Sequence, residues 1–196
     1  MQAPTIIVAG LGRCGSSLVM QMLDAGGAPC VGSWPDFEDE VSLLRDLKDV
    51  EAQRAFYTTC KGKAVKLLDP HLNQPPIGLD YRNIFLSRNT AEQAKSMLKL
   101  LGMTNNRQAR RAMEQAVRTD EALARQAMTK IGDGRYLNIP FENLIHDPEH
   151  TAGVIADWVR VWRGQPLDVD RMARCVRPRP AKCLPYMLEL ELLAHV

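Results

Sequence analysis

The run Thr5-Ile6-Ile7-Val8-Ala9 goes straight into Gly10-Leu11-Gly12-Arg13-Cys14-Gly15-Ser16-Ser17, and a helical stripe of Leu18, Val19, Met22 and Leu23 follows up to Gly26-Gly27. This strand, glycine-rich turn and helix constrain the fold more than any other feature. An apolar, β-branched strand feeding an amphipathic helix is the unit of a parallel sheet covered by helices. The turn between them gathers backbone N–H groups and a helix N-terminus where an anion can sit. Lys63 to Leu68 reads as a second strand running into Asp69-Pro70, Asn83 to Ser87 as a third ending at Arg88, and Tyr136 to Ile139 as a last one. Thr90 reads as an N-cap with Gln93 completing a capping box, and Ala94, Met97, Leu98 and Leu101 as that helix's buried face. A longer helix from about Asn106 to Lys130 puts Ala109, Met113, Ala116, Val117, Leu123, Ala127 and Ile131 at helical spacing and reads as structural. Asp147-Pro148 opens a helix whose Val154, Ile155, Trp158, Val159 and Trp162 face one way, with both tryptophans in the core. The expected fold class is α/β, a P-loop three-layer sandwich with a parallel sheet and helices on both sides, residues 1–196 forming one domain.

A chain of 196 residues, 45% hydrophobic and 24% charged, can bury a core without staples. Its net charge of +2 is too small to imply nucleic acid or a membrane surface, so any anion site has to come from local clustering. The five cysteines are widely spread and lack the paired spacings of zinc or disulfide frameworks. With no apolar stretch near ~18 residues and no basic leader, the expectation is a cytoplasmic protein without a membrane span.

A nucleotide-triphosphate loop of the usual kind reads G-x-x-x-x-G-K-[ST]. Gly10, Gly15 and Ser17 satisfy it, but Ser16 occupies the lysine position and the cation stands at Arg13 instead. Without that lysine the β/γ-phosphate and magnesium chemistry of an NTPase loses a main part. A P-loop kinase or NTPase, and a nucleotide-binding module without catalysis, are therefore the alternatives.

Arg13-Cys14-Gly15-Ser16-Ser17-Leu18 resembles the loop of the sulfotransferases that use 3′-phosphoadenosine 5′-phosphosulfate (PAPS). That loop carries a basic residue, a small residue, glycine, two hydroxyl residues and an apolar one. The family's second signature, an arginine at a strand end followed eight positions later by a serine, is matched by Arg88 and Ser96. Gly32 to Asp39, Val65-Lys66 with Asp69-Pro70, and Phe141-Glu142-Asn143-Leu144 are similar to the same family, closest to its short bacterial-type members. Cys14 stands where serine is usual.

The resemblance implies a sulfuryl transfer from PAPS to a hydroxyl or amine, with no metal. Gly12, Arg13, Cys14, Gly15, Ser16 and Ser17 would hold the 5′-phosphosulfate, and Arg88 with Ser96 the 3′-phosphate. Lys66 is the candidate for the transferring group. The cytosolic branch places a histidine base two residues after that lysine, where this chain has Leu68. Other branches use a glutamate after the first helix, and Glu38 matches it best, with Asp36, Asp69 and His71 in reserve. The same acidic stretch, Asp36 to Glu40, equally fits the first turn of a helix. His146 and His150 read as caps or surface groups. Arg171 to Lys182 is a basic loop, in which Arg177 and Arg179 either close over the 3′-phosphate or belong to a solvated tail. The acceptor (sugar, lipid, small metabolite or peptide) is left open, because acceptor pockets are built from loops.

Overall fold

A computed structural model describes residues 3–38, 49–132, 134–163 and 166–183. In chain order the elements are β1 (Thr5–Gly10), α1 (Ser16–Ala25), α2 (Val50–Thr59), β2 (Ala64–Leu68), β3 (Tyr81–Ser87), α3 (Thr90–Leu100), α4 (Arg107–Ile131), β4 (Tyr136–Pro140), α5 (Phe141–His146), α6 (Pro148–Arg163) and α7 (Val169–Arg174). The strands form one parallel sheet in the order β2-β1-β3-β4. The expected α/β fold is the one found.

Strand side chains alternate between faces, and the core divides accordingly. Ile6, Val8, Ala64, Ile84 and Leu86 pack with α1, α5 and α6 on one side. Ile7, Ala9, Val65, Leu67 and Phe85 pack with α2 and α4 on the other. Both faces of the sheet are therefore covered, which is why these strands read as apolar runs rather than alternating ones. Buried polar residues depart from that rule, among them Asn83 on β3 and Lys66 on β2. Lys66 pairs in register with Val8, so its side chain leaves β2 on the α1 face, where it is only 2% exposed.

The chain passes from β1 outward to β2 and then back across β1 to β3, so the strand order reverses beside β1. The carboxyl edge at such a reversal leaves a crevice between diverging connections. The loop after β1 and the turn after β3 both open there.

Three local expectations are corrected. Asn89, not Thr90, caps α3, its side-chain oxygen accepting from the N–H groups of Ala91 and Glu92. A carboxylate from the next layer, Glu142, takes the Asn89 N–H at 2.8 Å, so Gln93 closes no capping box. On α4 Val117, Ala127 and Ile131 of the expected stripe are buried, with Ala124 and Met128 beside them, while Leu123 is exposed. Leu101, assigned to the buried face of α3, lies at the C-cap and is 57% exposed. Two helices, α2 and α7, and the short α5 were not expected. Trp158 is partly buried against the core, and Trp162 lies outside the described side chains.

Candidate active site

The phosphate loop takes its shape from two left-handed residues, Arg13 at φ 66° and Gly15 at φ 99°. A side chain is tolerated at the first position, but at Gly15 a Cβ would come 2.6 Å from the Phe141 ring as well as strain the backbone. Alternating conformations of this kind turn successive N–H groups toward one point. Side-chain oxygens of Asp49, Asn89, Asn106 and Asp168 cap α2, α3, α4 and α7. No side chain caps α1, and its first turn holds no acidic residue. Its N-terminal N–H groups are thus left for a ligand.

The loop is clamped from β3 and α3. Arg88 donates to the Arg13 carbonyl at 3.1 Å, Gln93 donates to the Gly12 carbonyl at 2.7 Å, and Arg13 Nε donates to Ser96 Oγ at 3.0 Å. Holding both carbonyls outward leaves the amides facing in. Gln93 is thus a positioning residue; the sequence pattern assigned it to a cap because its spacing from Thr90 is that of a capping box.

A cavity of about 320 Å³ lies over the loop. Arg13, Lys66, Arg88 and Arg179 supply its cations, and Ser16 and Ser17 its hydroxyls. Asp36 and Glu38 are the carboxylates in the described lining, and Leu68, Leu100 and Phe141 give it apolar walls. The guanidinium carbon of Arg88 lies 4.4 Å from the centre of the Phe141 ring and that of Arg179 5.9 Å from it, so one aromatic ring seats two cations. Arg88 also donates to the Ala181 carbonyl at 3.3 Å, and the Cys183 N–H donates to Glu92 at 2.8 Å, which pins the basic segment against α3. Burial would raise the Glu92 carboxyl, but the hydrogen bonds from Lys95 and Cys183 outweigh it and hold the group below its ordinary range.

A buried ammonium has to find partners for its charge and its three donors. Lys66 donates to Ser17 Oγ at 2.8 Å, to the Asp36 carbonyl at 2.9 Å and to Glu38 Oε1 at 2.5 Å. The ion pair is asymmetric: Lys66 is enclosed, whereas the Glu38 side chain is 35% exposed and opens on the cavity. It joins a cation and a carboxylate at the floor of an anion site.

No protein-family model matches the sequence, and no curated protein matches it. Among solved structures, the chain is similar to sulfotransferase STF9 from Mycobacterium avium, at 14% identity and a TM-score of 0.52, over 88% of this chain and 66% of that one. It is likewise similar to a sulfotransferase from Alicyclobacillus acidocaldarius, at 15% identity and a TM-score of 0.50, over 97% of this chain and 90% of that one. The chain has the sulfotransferase fold.

Within that fold the expected site residues are distributed unevenly. Gly12, Arg13, Gly15, Ser16, Ser17, Glu38, Lys66, Arg88 and Arg179 come together around the cavity. Cys14 does not line it. The Cys14 side chain is buried behind the loop against Gly10, and burial pushes its thiol up, so it is a neutral filler. Ser96 is fully buried beneath Arg13 and outside the lining, and Arg177 is exposed and outside it. Of the reserve bases, Asp36 reaches the cavity. Asp69 and His71 do not; His71 faces Asp120 of α4 at 3.8 Å. Leu68, at the position of the histidine in the cytosolic branch, forms part of the wall. Asp36 accepts from the Glu38 N–H at 3.3 Å in a turn, and the rest of the acidic stretch, Asp39 and Glu40, lies outside the described residues. His146 and His150 are exposed. Phe141, which carries both arginines, stands out in the sequence only as part of a family segment.

Proposed function

We propose that the chain is a sulfotransferase that moves a sulfuryl group from PAPS to a hydroxyl or amine. The observation that carries this reading is the convergence of Arg13, Lys66, Arg88 and Arg179 on one cavity above an uncapped helix N-terminus. The site fits a polyanionic donor with two separated anionic ends. The loop amides, Ser16, Ser17 and Lys66 form one cationic end, and Arg88 with Arg179 on Phe141 forms the other. Ser96 acts through Arg13, fixing the guanidinium by accepting its Nε–H. Arg177 is a solvated neighbour.

In the transfer, the sulfur–oxygen bond to the donor phosphate breaks as a bond to the acceptor heteroatom forms, and adenosine 3′,5′-bisphosphate leaves. Such in-line transfers pass through loose transition states, so positioning and charge neutralisation dominate the protein's contribution. Lys66 has three donors and three acceptors, all matched at rest. To neutralise the moving group it exchanges one of them, and the Glu38 carboxylate, partly exposed and lining the cavity, is the one that can be released. The exchange frees the Glu38 carboxylate to take the acceptor's proton.

The Arg88→Ala variant tests the donor assignment. Its affinity for adenosine 3′,5′-bisphosphate, measured by titration calorimetry, is expected to fall by ~1.5–3 kcal/mol, the range for a charge-assisted hydrogen bond. Arg88→Lys keeps the charge but loses the planar fork and is expected to lie between the two. Unchanged affinity in a folded Arg88→Ala protein would remove Arg88 from the ligand site.

A further inference from the structure

From Gln93 to Met113 the chain carries five cations, Lys95, Lys99, Arg107, Arg110 and Arg111, and no carboxylate. This stretch ends α3, turns, and begins α4. The turn is apolar as well as basic: Leu100 is 50% exposed, Leu101 57% and Met103 51%. Leu101 has the helical spacing of a buried residue, yet among the described residues nothing covers most of it. Residues 101 to 108 are all exposed, and α4 first packs against the core at the partly buried Met113 and is fully buried first at Val117, so the end of the hairpin projects from the body. Among the described residues, Arg107, Arg110 and Arg111 form no ion pair, and Arg110 folds back to donate to the Asn105 carbonyl at 3.2 Å. Of the five, Lys95 is paired with Glu92, and farther along α4 Arg118 pairs with Glu114 and Arg125 with Glu121.

We propose that this hairpin end docks on the surface of an anionic lipid bilayer. A projecting tip of apolar side chains ringed by arginines matches the boundary between acyl chains and anionic headgroups, where the apolar groups insert and the cations stay at headgroup level. A protein partner would need a complementary hollow for a convex tip; a bilayer adapts to it. The protein's net charge of +2 gives no general attraction to membranes, so binding depends on this local cluster. Leu100 also lines the cavity, so docking brings the mouth of the site to the lipid surface. The proposal rests on exposure and charge at the tip and stands apart from the reaction assigned to the cavity.

Co-sedimentation of the full chain with vesicles tests it. Phosphatidylcholine vesicles containing phosphatidylglycerol are expected to bind the protein about 10–100-fold more tightly than phosphatidylcholine alone, with the preference falling as salt rises. The double variant Leu101→Ser/Met103→Ser and the triple variant Arg107→Gln/Arg110→Gln/Arg111→Gln are each expected to weaken binding at least about tenfold. All five positions are on exposed, unpacked chain, and circular dichroism checks the fold of each variant. Leu100 is left unchanged because it belongs to the cavity. No binding at low salt, equal binding to neutral vesicles, or binding unaltered in both variants overturns the proposal. So does concentration-dependent self-association that Leu101→Ser/Met103→Ser abolishes, since a second copy would then be what covers the tip.

Discussion

Glu38→Gln is expected to reduce single-turnover sulfuryl transfer by ~10²–10⁴-fold while leaving affinity for adenosine 3′,5′-bisphosphate near that of the unaltered protein. Glutamine keeps the size of the side chain and can still accept a hydrogen bond from Lys66 Nζ, so the contact to the lysine survives in weaker form. What is lost is the proton acceptor. A helix-cap role predicts a different pattern, a loss of ~0.3–1 kcal/mol of stability with turnover almost intact. Asp36→Asn is the matched control, because Asp36 lines the same cavity and holds the Glu38 N–H through its side chain. If Asp36→Asn abolishes transfer and Glu38→Gln does not, the base has been assigned to the wrong carboxylate.

The second large effect is expected at Lys66. Lys66→Met should lower transfer by ~10²–10³-fold, the usual consequence of removing one preorganised group that neutralises charge in the transition state. Stability should change little, for two opposing reasons. Methionine fills the apolar slot between β2 and α1 without the desolvation of an ammonium, which favours the variant. Glu38 and Ser17 lose their donor, which disfavours it, but the partly exposed Glu38 carboxylate can recover its hydrogen bond from water. A single-turnover measurement and a thermal melt on the same protein separate the two. A variant that unfolds at much lower temperature would mean that Lys66 is principally structural, and retained transfer would mean that another cation meets the moving group.

The first strand, its loop and α1 were legible in the sequence because the information is local: an apolar run, glycines where the backbone turns left-handed, and a periodic stripe. Lys66 was legible only through the resemblance. Its burial depends on its register opposite Val8 and on partners brought in from Ser17 and from the loop after α1. The sequence could not give Gln93 its role for a related reason. Its bond to Gly12 joins residues 81 apart, while the capping box it imitates is a short-range pattern. The same competition moved the cap to Asn89, whose amide oxygen reaches two N–H groups of the first turn. On α4 the charge pattern allowed several apolar faces, and the choice among them was made by contact with β3. Arg177 and Arg179 are two residues apart and equivalent in the sequence. Only the stacking surface of Phe141 distinguishes them.

The donor assignment is tested most directly by thermal shift with two ligands side by side. Adenosine 3′,5′-bisphosphate without added metal is expected to raise the melting temperature. At a ligand concentration about 100 times its dissociation constant the gain is about 2.7 kcal/mol, or ~5–10 °C for a chain of this size. ATP with magnesium is expected to do much less, because Ser16 stands where a triphosphate loop needs its lysine and Arg88 with Arg179 faces the other end of the cavity. Equal stabilisation by the two ligands, or a strict magnesium requirement for either, would contradict the account and favour a P-loop NTPase.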